Sequence, residues 1–170
     1  CNWWMMFTLN ERLCMTTSEN DLRQRFENAR STLEILVCIK ADQACALFDK
    51  QYHIAKVAPS NLAEMRTAWT KLSYPIYAHG NTNTIYRLQA YNHAFRFWHD
   101  ALHLTNNLDV TFEDELAIAE MHAKAASVYG SDAALLMRID TRGQSEYYKD
   151  HGAFPEDQLA FAWATWQEMA

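Results

Sequence analysis

Three prolines and four glycines are all that punctuate this chain of 170 residues. A many-stranded β fold needs turns at short intervals, and glycine and proline supply much of their backbone geometry. Scarcity of both disfavours such folds and favours long helices. Leu, Ala, Glu, Met and Arg are plentiful, and these residues lose little side-chain freedom in a helix. The expectation is an all-α chain: a single-domain helical bundle of about seven helices around a central helix near 84–104.

Apolar spacing supports that reading. Leu22, Phe26, Ala29, Leu33, Leu36 and Val37 recur at helical intervals in a helix that starts near Thr17-Ser18. A second stretch runs through Ala44, Leu47, Phe48, Tyr52 and Ala55 to Pro59. Asn61 with Glu64 has the form of a capping box and opens a third helix through Met65, Trp69 and Leu72. Ser73-Tyr74-Pro75 ends it. Gly80-Asn81-Thr82-Asn83 is a turn cluster before the longest helix, which runs from about Thr84 to His103 or Thr105 and stops at Asn106-Asn107. Thr111 with Asp114 caps the next helix, to about Tyr129. Gly130 terminates that helix, Ser131 caps another that Gly143 bends or ends, and Pro155-Glu156-Asp157 opens the last.

Size and charge narrow the function. Six Trp, eight Tyr and eight Phe suffice for one sizeable core. The net charge is −6 and the basic residues are dispersed, so no nucleic-acid surface is expected. No apolar run approaches the roughly 20 residues of a membrane span. Cys38 and Cys45 stand seven apart in helical sequence, too wide for one ion and too awkward for a bridge within one straight helix. Free thiols in a reducing, cytoplasmic compartment are the simplest reading. Residues 1–14 form an aromatic, sticky extension before Met15-Thr16-Thr17-Ser18, which reads like a translation start and a cap. The extension lacks the basic n-region and small-residue cleavage site of a signal peptide. A Cys1–Cys14 loop is one alternative for it. Residues 15–170 read as the single helical domain.

The chemistry concentrates in Trp98-His99-Asp100-Ala101-Leu102-His103. On a helix, His99 and His103 lie one turn apart on one face, the spacing at which two imidazoles share a divalent metal, zinc above all. A third ligand is required. Glu115 sits in the first turn of the next helix, beyond the bend at Asn106–Thr111, so an antiparallel pair returns it to His103. His122 shares the face of Glu115 but lies two turns on, roughly 10 Å along the axis, too far for the same ion. Asp100 is a base for a metal-bound water, an orienter of an imidazole or a surface charge. Arg96 projects from the same sector and either binds an anionic substrate or makes a structural ion pair. His93 belongs to another sector. Tyr148 and His151, in a polar segment before Pro155, would serve as acid or oxyanion donor only if the fold brought them near.

The His99-Asp100-x-x-His103 pattern resembles the His-Glu-x-x-His helix of zinc metallopeptidases, with Glu115 placed like the downstream Glu of the branch that uses one as third ligand. The acidic residue of that motif is the general base; Asp100, one methylene shorter, stands in its position. The similarity spans residues 99–115. His99-Asp100 is also similar to the doublet of the HD phosphohydrolases, all-α metal enzymes that cleave phosphate esters. That resemblance implies an earlier His and a later Asp, which His79 and Asp140 would supply. Tyr91-Asn92-His93 through His103, with Phe112-Glu113-Asp114-Glu115, resembles uncharacterised small proteins of bacteriophages and mobile elements.

The expected function is divalent-metal binding, zinc by preference, through His99, His103 and Glu115. If the chain is an enzyme, it is a hydrolase using a metal-activated water, with Asp100 and Arg96 assisting. The alternative is a non-catalytic acidic helical protein that binds a protein partner.

Overall fold

A computed structural model describes the backbone of residues 3–78 and 83–170, and side chains from residue 18 onward. Among the described residues the fold is mostly helical, in six separate helical runs with one small sheet. Helix α1 spans Trp3–Phe48, β1 Gln51–Ala55, α2 Leu62–Trp69, β2 Ser73–Tyr77, α3 Gln89–Asn106 and α4 Phe112–Ser127. Helix α5, Ser131–Arg138, passes through a π-helical turn at Ile139–Gly143 into α6, Gln144–His151; α7 is Gln158–Met169. No helix among the described residues is long and apolar enough to cross a membrane.

The core follows from helical periodicity. Phe26, Ala29, Leu33, Leu36, Val37, Ala41 and Ala44 form the buried stripe of α1. Against it pack α3 and α5, with Trp166 of α7 and Phe97 of α3 buried to completion. Aromatic rings tile the space between α2, α3 and the sheet: Trp69 stands edge-on to Tyr74 and stacks with Phe97, which also stacks with Tyr52. Edge-to-face and offset pairs of this kind add stability beyond the area they bury.

Three expectations need correction. The two stretches read as separate first helices are partly one, because α1 runs unbroken to Phe48. It stops where Asp49 takes a left-handed backbone (φ 50°), a conformation short polar side chains tolerate. Tyr52 and Ala55 then belong to β1, not to a helix. Gln51–Ala55 pairs in parallel with Ser73–Tyr77, Tyr52 opposite Tyr74 and Ile54 opposite Ile76, and α2 lies within the crossover between them. The all-α expectation therefore holds only as mostly helical, with six helices in place of about seven.

The central helix is also shorter than its sequence suggests. Residues 84–88 are not helical, because α1 captures their backbone. Arg30 donates to the Ile85 carbonyl at 2.6 Å, and Glu34 accepts the Arg87 amide at 2.7 Å. Arg30 and Glu34 are both buried, so these bonds satisfy groups that water does not reach. The Arg87 guanidinium closes the network on Glu34 and Glu27. The Cys1–Cys14 loop and His79 lie outside the described residues, and Cys38 and Cys45 are free.

Local caps set the two helices that matter for function. Asn107, left-handed at φ 57°, ends α3 and returns its amide to the His103 carbonyl. Thr111 accepts the Asp114 amide and starts α4. Between them Asp109 accepts the amides of Leu62 and Val110 and donates its own to Asp114. The α3–α4 corner is thereby fixed by hydrogen bonds at both helix ends. At the other expected cap, Asn61 accepts the Glu64 amide, while Glu64 reaches back to Ser60.

Candidate metal centre

The corner brings His99, His103 and Glu115 together. His103 Nε2 lies 3.0 Å from His99 Nε2 and 3.4 Å from Glu115 Oε1; His99 Nε2 lies 3.5 Å from Glu115 Oε2. Among the described residues they form the one group of three His, Cys, Asp or Glu whose donor atoms converge within 4.8 Å. Zinc–ligand bonds of about 2.0–2.1 Å at tetrahedral angles separate neighbouring donors by roughly 3.3 Å. The three distances, which reach different oxygens of the Glu115 carboxylate, bracket that value.

Each of the three side chains is held in place by its own neighbours. His103 is fully buried, and its Nδ1–H donates to the Leu108 carbonyl at 3.2 Å, while the Leu108 amide bonds back to the His103 carbonyl. That hydrogen bond leaves Nε2 facing Glu115. Glu115 stands one turn inside the Thr111 cap, its amide bonded to the Thr111 carbonyl. His99 Nδ1 lies 3.2 Å from Nε2 of the buried His122. His122 packs against Phe95 and edge-on to Trp98, with ring centroids 5.0 and 4.2 Å away.

Electrostatics couples the group. Burial alone would raise the Glu115 pKa, but hydrogen bonds from His103 and His99 outweigh it and hold the carboxyl far below its usual range. Burial alone would lower His103, yet the Glu115 carboxylate wins and raises it. His122, desolvated and facing both other imidazoles, is pushed well below the usual histidine range and stays neutral. A proton and a divalent cation thus compete for the same spot between His103 and Glu115.

His99 and Glu115, with side chains 21% and 24% exposed, border a cleft of about 1220 Å³. Its walls are aromatic (Phe95, Phe112, Tyr148 and Phe154) and it also receives Arg96, Lys149 and Asp140. Arg96 donates to the Tyr77 carbonyl at 3.1 Å. Asp100 sits beside the imidazoles and accepts the Tyr74 hydroxyl at 3.0 Å; burial raises its pKa, and the charge of His99 opposes the rise. Asp140, on the π-helical turn, accepts the Gln144 amide at 2.8 Å. Tyr148 lies against the cleft, whereas His151 bonds to the Tyr147 carbonyl and stacks on its ring. His93 is half-buried, and burial with the nearby Arg96 lowers its pKa.

Spacing alone did not reveal the contact between His99 and His122. The signal lay in the antiparallel return itself, which aligns the third turn of α4 with the residues just before His103. The cleft's far wall, built on the π-helical turn, has no local sequence signature. No family model matches this chain, and comparisons with curated proteins and with solved structures find no match.

Proposed function

We propose that this chain binds a divalent cation, zinc by preference, through His99 Nε2, His103 Nε2 and the Glu115 carboxylate. The observation that carries the reading is the convergence of two imidazole nitrogens, 3.0 Å apart, on the two oxygens of one carboxylate, at 3.4 and 3.5 Å. Two imidazoles and one carboxylate are a donor set that catalytic zinc sites use, with the fourth position left for water or substrate. Two of the three ligands border the cleft, so that fourth position opens where a ligand has room. Held by these residues, a divalent cation would supply hydroxide near neutral pH, which suits hydrolysis.

The protein's own groups divide the remaining work. Arg96, on the cleft beside His99, suits an anionic group of the substrate, and the aromatic walls suit a flat apolar body. Asp100, tied to Tyr74, contributes charge: its carboxylate interacts with both imidazoles electrostatically and would favour a cation bound to them. The acidic partner-binding alternative has no comparable convergence of groups behind it.

The test is a zinc titration against a competing chelator. One ion per chain is expected, with Glu115→Gln weakening binding at least tenfold at unchanged helix content. A parent chain that binds no zinc, or a Glu115→Gln chain that binds it equally well, overturns the proposal.

A further inference from the structure

The metal-centre reading leaves one buried polar atom to be explained. His122 is fully buried, and its Nδ1 has no hydrogen-bond partner. Most buried polar groups find a partner, so an orphaned ring nitrogen asks for a reason. Its other nitrogen lies 3.2 Å from His99 Nδ1, and the two rings are within 5° of parallel with centroids 5.4 Å apart. Parallel rings at that separation with nitrogens so close lie edge to edge. One imidazole then donates along the lone pair of the other.

We propose that His122 is a positioning residue for the metal centre: its Nε2 accepts the Nδ1–H of His99 and fixes His99 in the tautomer whose Nε2 lone pair faces the ion. The inference rests on the metal-centre reading. A neutral histidine that ligates through Nε2 carries its proton on Nδ1, and that proton needs an acceptor to hold the ring. For His103 the acceptor is the Leu108 carbonyl. For His99 it is the His122 nitrogen. Accepting at Nε2 obliges neutral His122 to carry its own proton on Nδ1, the nitrogen with no partner. The orphan is therefore a consequence of the role. Phe95 and Trp98 pack on the His122 ring, so water does not compete for the contact.

The test has two arms on the whole chain. In the zinc-loaded parent, imidazole 15N spectroscopy reads the tautomer directly. The neutral Nδ1–H form of His122 is expected; the Nε2–H form or an imidazolium overturns the inference. In the second arm, His122→Leu removes the acceptor at similar volume and lowers zinc affinity 10- to 100-fold. His122→Gln, which offers a carbonyl oxygen in its place, recovers most of that loss. Equal affinity in the parent and His122→Leu, or a glutamine variant no better than leucine, overturns the inference while the metal-centre reading stands. A parent that binds no zinc overturns both. Should His122→Leu fail to fold, the spectroscopic arm decides alone.

Discussion

Two carboxyl groups border the same cleft, and their neighbours drive them in opposite directions. Glu115 faces two imidazoles and is held ionised. Asp140 faces the neutral Gln144 amide, which offsets only part of the cost of burial, and its pKa is pushed up to about 7. The unfolded value is about 3.9. Below that value Asp140 is protonated in both states. As pH rises towards 7 the unfolded chain ionises freely while the folded chain resists, so stability falls through that window and levels off above it. Asp140→Asn keeps the acceptor and removes the charge. Urea unfolding is expected to show parent and variant nearly alike at pH 4, and the variant more stable at pH 8, by an amount bounded by about 4 kcal/mol at 1.36 kcal/mol per pKa unit. A difference that does not change with pH would contradict this account of Asp140. At this scale the sequence revealed residue types, not their environments: nothing adjacent in sequence marks Asp140 as buried or ties Asp100 to Tyr74.

Helix ends were the most legible elements, because their chemistry is local. Thr111 with Asp114, Asn61 with Glu64 and the stop at Asn107 all depend on residues within one turn. The strands were not legible. Tyr52 and Ala55 continue an apolar spacing begun at Ala44, and a five-residue run fits either period. Only pairing with Ser73–Tyr77 settles it as strand. Residues 84–88 hid for a different reason: their helical spacing is real, but Arg30 and Glu34, more than fifty positions earlier, take the backbone groups a helix would use. The Thr111 cap bears on function as well as folding, since Glu115 stands on the turn it starts. Thr111→Ala is expected to cost about 1 kcal/mol of stability and to weaken zinc binding several-fold in the chelator competition. Unchanged affinity with the full loss of stability would show that the carboxylate is held without the cap.

For the molecule as a whole, one antiparallel corner carries the site. Two histidines a turn apart and an acid just past the bend need no long-range prediction to meet, which is why that grouping could be read from residues 99–115. The cleft could not, since its walls come from α3, α4, the π-helical turn, α6 and the loop after it, and no short window contains them. His122 stands 23 positions from the ring it touches, also beyond a short window. What the fold adds is a rigid setting: α3 packed on α1, α4 packed on α5, and the corner between them closed by hydrogen bonds. The most direct measurement of the central claim is X-ray absorption at the zinc edge on the chain loaded with one equivalent. The account predicts two imidazole nitrogens and carboxylate oxygen at about 2.0–2.2 Å, with water completing the shell, and loss of one imidazole in His99→Ala. A spectrum of fully hydrated zinc, of sulfur ligands, or one left unchanged by His99→Ala would contradict it.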